Sequence, residues 1–199
     1  MLMIALMLAL NFGISWWNCY AVGGIWVESR SLGGWIRVLA WSGAIQAAIG
    51  FSSVFLFVLG GAAFAFGVLP PKAFHAAINL WYLLIIIPAL STGLIITVHS
   101  WIAAYRERSL ANMGTAAYNT FAQAYNMYNA FSGIGDAFKG VGEFFAGGDD
   151  DDVKARLILL VVGLVVLSLI AGGVLAAILI KKYAGRLPLP ERESVKFGR

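Results

Sequence analysis

RERSLANMGTAAYNTFAQAYNMYNAFSGIGDAFKGVGEFFAGGDDDDVKAR, residues 106–156, is the long polar interruption in a chain otherwise built from apolar runs. Three such runs precede it, Leu2–Val27, Val38–Leu69 and Ala73–Tyr105, and one follows, Leu157–Ile180. Each is long enough to cross ~30 Å of hydrocarbon as a helix. The reading of the interruption therefore decides the fold, because it either stays outside the bilayer or supplies a further crossing.

Within it, Asn112, Thr115, Asn119, Asn126 and Asn129 recur at steps of three, four and seven, which places them on one helical face. Tyr118, Phe121, Tyr125 and Tyr128 fill another face, giving an amphipathic helix whose polar side carries no charge. Only Gly114 interrupts helical continuity from Tyr105, so the third apolar helix is expected to run on into this segment and out of the bilayer. Ser132 and Gly133 are expected to break it. Beyond them Phe131, Ile134, Phe138, Val141 and Phe145 form a second apolar stripe opposite Asp136, Lys139 and Glu143, a shape suited to the headgroup boundary or to another protein. The run Asp149–Asp152 reads as a solvated acidic loop. Hard cations need oxygen ligands spaced around a folded loop, and consecutive aspartates do not supply that spacing.

Composition sets the class. Of the 199 residues 60% are hydrophobic and 12% charged, and the mean hydropathy is +0.82, well outside the soluble range. The chain is read as an integral protein of a bacterial inner (cell) membrane, with the lipid bilayer as its first partner. Its net charge of +4 comes from Lys and Arg at the ends of apolar runs, which marks topology and not nucleic-acid binding. Cys19 is the single cysteine, so no intrachain disulfide forms. The first run has no basic segment before it and continues past any cleavage site, so it is read as a span and not a removable signal.

Outward from the interruption, the apolar runs carry uncharged polar stripes. Asn11, Ser15 and Asn18 share a face of the first run, and Ser42, Gln46, Gly50 and Ser53 share one in the second. In lipid such faces turn towards protein and are expected to hydrogen-bond between helices. Small residues that admit close helix approach are Gly43 with Ala47, Ala63 with Gly67, and the ridge Ser168, Gly172, Ala176. Pro70-Pro71 stops the second run. Pro88, followed by Ser91, Thr92 and Gly93, predicts a kink whose freed backbone groups find neighbouring hydroxyls. His75 and His99 are separated by roughly 36 Å along a helix and cannot share a metal or haem.

The division that results is a three-helix membrane region (1–105), amphipathic extramembrane or membrane-surface helices with an acidic loop (106–156), a last transmembrane helix (157–182) and a polar tail (183–199). The fold class is an all-α integral membrane bundle of four transmembrane helices, or five if Ala111–Ala130 also crosses. Four crossings divide the basic residues 7 against 7 between the two sides, whereas five divide them 10 against 4. Hydropathy argues the other way, since four asparagines, a glutamine and two threonines make Ala111–Ala130 a poor independent inserter.

No Asp, Glu, Lys or Arg lies within the four apolar runs, and ion-coupled pumps keep such a relay residue. The sequence has no metal-ligand cluster, no phosphate-binding glycine motif and no nucleophile–base–acid set, so no enzyme activity and no cofactor is expected. Two functions fit: a non-catalytic subunit or scaffold of a larger membrane assembly, or a homo-oligomeric channel with an asparagine-lined path. In both, Asn112, Thr115, Asn119, Asn126, Asn129, Tyr118, Phe121, Tyr125 and Tyr128 are the expected contacts with another copy or another subunit. Gly43, Ala47, Ser168, Gly172 and Ala176 are the expected helix-packing positions.

Overall fold

A computed structural model describes residues 2–147 and 151–184, which form five α-helices and no strand: α1 (Leu2–Leu32), α2 (Gly34–Ala65), α3 (Pro71–Arg106), α4 (Leu110–Ala146) and α5 (Asp151–Tyr183). Four of them, α1, α2, α3 and α5, are long and apolar enough to cross a membrane. Asp149, Asp150 and residues 185–199, which include most of the polar tail, lie outside the described residues.

The connections follow from local chemistry. Gly33 and Gly34 take φ of +62° and +52°, the left-handed region open to glycine, and reverse the chain between α1 and α2 without a loop. Pro71 opens α3 at a position whose missing N–H costs nothing. Ser109 accepts from the Asn112 N–H at 3.1 Å and caps α4.

Two expectations about the interruption are corrected here. The third helix does not continue past Tyr105; it ends at Arg106, and the chain reverses over Glu107–Ser109. Ser132 and Gly133 do not break the next helix, because α4 runs unbroken to Ala146. The physical reason is visible in its buried positions, Ala116, Gln123, Ala130 and Ala137, which recur every seven residues. Small residues Gly133 and Gly140 on the same face let α4 lie against Tyr82 and Asn79 of α3. Packing along this seam outweighs the low helix propensity of glycine. Gly67 is also not a packing residue: it sits at φ +72° in the turn after α2 with open space around it.

α2 is the central helix, packing on α1, α3 and α5, while α4 packs on α3. α1 and α2 are antiparallel, with Phe12 against Phe51, Gly43 under Val22 and Trp26 against Trp41. α5 runs parallel to α1: Leu159 and Leu160 lie near Leu69, Gly172 meets Ala48 and Ser52, and Tyr183 meets Gly23. α3 thus ends, and α5 begins, at opposite ends of the bundle. α4 joins them by running antiparallel along α3, with Trp101 bonded to Thr120, Leu90 to Gln123 and Tyr82 to Asn129.

Apolar burial alone does not drive helices together in lipid, so close packing and polar bonds must hold this bundle. α2 accordingly buries Ala40, Ser42, Gly43, Ala47, Gly50, Ser52, Ser53 and Gly60, with Phe51 and Leu56 as its large buried side chains. Ser168 is fully buried, Ala176 packs with Cys19 and Ala47, and Gly172 lies directly on the α2 backbone. Helix α3 stays continuous through Pro88. Ser91 and Thr92 hydroxyls donate to the Ile87 and Pro88 carbonyls at 2.8 and 2.6 Å.

Candidate functional site: a polar cleft between helices

The uncharged stripes on α1, α2 and α4, far apart in sequence, meet in one place. Asn11, Ser15 and Asn18 of α1, Gln46, Gly50 and Ser53 of α2, and Tyr118, Asn119, Gln123 and Asn126 of α4 line a cleft of about 380 Å³. Trp81, Gly93 and Thr97 of α3 complete it. The lining segments of α1 and α2 lie near the middle of their helices, so the cleft sits at mid-bundle. α1 and α4 face each other across it without forming a helix interface of their own.

Its walls are fastened by side chains bonded to side chains and to backbone. The Asn11 amide donates to the Ser53 hydroxyl, and the Ser15 hydroxyl donates to the Asn11 carbonyl at 2.8 Å. A Cβ on Gly50 would overlap the Ser15 hydroxyl, so this approach of α1 to α2 requires glycine. Gln46 donates to the Ala89 carbonyl at 2.7 Å and to the Thr92 hydroxyl at 2.8 Å. From the other flank Gln123 donates to the Leu90 carbonyl at 2.9 Å. Two glutamines therefore clamp adjacent carbonyls of α3 just after Pro88, and Gly93 leaves them room, since a Cβ there would overlap the Gln123 amide oxygen. Thr97 bonds to the Gly93 carbonyl at 2.9 Å and reaches the Asn119 carbonyl at 3.3 Å.

Not all of the polar atoms are used in this way. Among the described residues, the side-chain amides of Asn18, Asn119 and Asn126 make no hydrogen bond to protein, although all three line the cleft. Each carboxamide offers two donors and an acceptor. The cleft is therefore an uncharged surface rich in both donors and acceptors, with no Asp, Glu, Lys, Arg or His in its lining. It can hold water, a neutral polar solute or polar side chains of another helix.

The expected contact residues of α4 divide. Asn119, Asn126 and Tyr118 line the cleft. Phe121, Tyr125 and Tyr128 are exposed on the outer face. Asn112 donates to the Glu107 carboxylate at 3.0 Å beside the α3–α4 turn, Thr115 bonds back to Ala111, and Asn129 offers its backbone carbonyl to the Tyr82 hydroxyl at 3.0 Å. Sequence reasoning missed Gln123, which is 6% exposed and bonds α4 to the α3 backbone. The seven-residue spacing of Ala116, Gln123, Ala130 and Ala137 carried that signal. At the α1–α2 and α3–α4 reversals, the Trp35 indole N–H donates to His99 Nδ1 at 3.1 Å, which occupies that histidine as an acceptor.

Comparison with protein-family models, with curated proteins and with solved structures found no match to this chain.

Proposed function

We propose that the protein is a non-catalytic subunit of a membrane assembly, in a bacterial inner membrane, and that its polar cleft receives a transmembrane helix of a partner subunit bearing polar side chains. The observation that carries this reading is the set of unbonded carboxamides of Asn18, Asn119 and Asn126 at mid-bundle between two helices that do not close on each other. An amide left without a partner in hydrocarbon costs several kcal/mol, roughly 2–7 by transfer measurements, and a polar helix in the cleft would remove that cost. Uncharged groups suit such a contact, because they are buried without the desolvation penalty of ions.

In this reading α4 crosses the bilayer as a fifth span. The chain must return from the end where α3 stops to the end where α5 starts, and α4 lies along α3 throughout. Asn119, Gln123 and Asn126 line the cleft beside α3, which lessens the objection that Ala111–Ala130 inserts poorly by itself, and the exposed charges Asp136, Lys139 and Glu143 lie beyond that segment towards the far end of α4. The crossing also restores the charge asymmetry, with Arg30, Arg37, Arg106, Arg108, Lys181 and Lys182 at the end that becomes cytoplasmic. The channel reading has less support: from Asn11 to Asn18 the polar lining extends about 10 Å along α1, a third of the ~30 Å hydrocarbon.

The test places a photoreactive phenylalanine at Ala122, in the cleft, and as a control at Leu167, exposed on α5. A discrete protein adduct from position 122 alone, lost when Asn119→Lys and Asn126→Lys are added, is the expected result. Lipid adducts only, from both positions, would overturn the docking role. A monomeric protein whose bilayer conductance falls with the same lysines would favour a pore in its place.

A further inference from the structure

A second groove, unrelated to the polar cleft, opens at the end of the bundle where α1 turns into α2 and α5 finishes. It encloses about 570 Å³ between α1, α2 and α5. Its deep part is bounded by Ala48 and Gly173, its sides by Trp26, Trp41, Ala44 and Ala177, and its mouth by Arg30 and Lys181. From Gly173 to Lys181 it runs about 12 Å along α5. We infer that this groove binds an acidic phospholipid, with one acyl chain lying against the alanines and glycine and the phosphate held between Arg30 and Lys181.

The arrangement supports that occupant over others. Along its length the lining is aliphatic and aromatic, and glycine and alanine on α5 leave a slot where bulky side chains would close the α2–α5 contact. Twelve ångströms matches eight to ten methylenes of an extended chain, about 1.25 Å apiece. A polar solute would find no partner along that aliphatic and aromatic length. At the mouth the character changes abruptly to two cations on different helices. Trp26 and Trp41 stack edge to face with centroids 5.3 Å apart and stand just inside the mouth, the depth at which indoles meet headgroups. With α4 crossing as proposed above, the excess of Lys and Arg at this end marks it as cytoplasmic, and the cytoplasmic leaflet is where anionic lipids concentrate. Basic pockets between membrane helices on that side suit lipid phosphates. The site does not depend on the docking role of the polar cleft.

The experiment uses the full chain in nanodiscs of phosphatidylcholine, into which brominated phosphatidylglycerol or brominated phosphatidylcholine is titrated. Bromine quenches indoles it touches, so the Trp26 and Trp41 signal is isolated by subtracting the response of a Trp26→Phe, Trp41→Phe variant. Stronger quenching by brominated phosphatidylglycerol at equal mole fraction is expected. Neutralising one cation, Arg30→Gln or Lys181→Gln, should lower the relative affinity roughly fivefold, and both together should abolish the preference. Ala177→Leu narrows the slot and should reduce quenching by both lipids, while Arg30 and Lys181, being exposed, leave the fold intact when replaced. Equal quenching by the two lipids in the unmodified protein, or a preference that survives loss of both cations, would overturn the assignment.

Discussion

Gly172 and Gly173 are neighbours on α5, yet the structure gives them opposite surroundings, and substituting each by alanine tests the packing argument directly. A Cβ at position 172 would lie 2.5 Å from the Ser52 backbone nitrogen, 2.6 Å from the Ala48 carbonyl oxygen and 2.8 Å from the Ser52 Cα, whereas at position 173 nothing lies within 4 Å. The atoms met at 172 are backbone, so no rotamer change relieves the overlap. A methyl carbon needs roughly 3.5 Å, so α5 must retreat from α2 by about 1 Å, and a gap of that size forfeits a quarter to a half of each dispersion contact across it. Cys19, Ala47, Phe51, Ala176 and Leu179 share that cluster. Overpacking of this kind costs about 1–3 kcal/mol, while alanine in place of glycine returns up to ~1 kcal/mol of helix propensity at either position. The propensity gain is common to both and cancels, so Gly172→Ala should be less stable than Gly173→Ala by about 1–3 kcal/mol, with Gly173→Ala equal to or above the parent. Reversible unfolding in mixed micelles, followed by circular dichroism, measures the difference. Equal stabilities, or a more stable Gly172→Ala, would mean that α5 does not lie on α2 as described.

The remaining predictions concern α4. In a Cys19→Ser background, cysteines placed at Arg108 and at Glu143, both exposed, should react with a membrane-impermeant maleimide from opposite faces of sealed vesicles. Reaction of both from the same face would show that α4 does not cross. Gln123→Leu removes the bond to the Leu90 carbonyl and should destabilise the protein by about 1 kcal/mol, with faster amide exchange in α4. Asn126→Leu, which removes no bond to protein, is the control, and equal losses in the two variants would discount the glutamine clamp.

Much of this architecture is legible in one dimension because the bilayer imposes length and polarity on each segment separately. The apolar runs Leu2–Val27 and Leu157–Ile180 announce helices regardless of what they touch, and an uncharged stripe such as Asn11, Ser15 and Asn18 announces a face that turns inward. Local rules also place the reversal at Pro70-Pro71. They failed at Tyr105 and at Ser132–Gly133, where propensity is weak on both sides of the question and the answer depends on a seam with α3. Likewise, the partner of each stripe is not local information. Asn11 could have met any hydroxyl, and only the packing of α1 on α2 brings it to Ser53, as only the return of α4 along α3 brings Asn119 and Asn126 into the same cleft. The sequence by itself determined an all-α bundle with four apolar helices and inward-facing polar stripes, since hydrocarbon selects those features residue by residue. Tertiary structure alone decided that α4 returns along α3 to the end where α5 begins, that Gly93 makes room for two glutamines, and that three amides find no protein partner among the described residues, because each depends on side chains brought together across tens of residues.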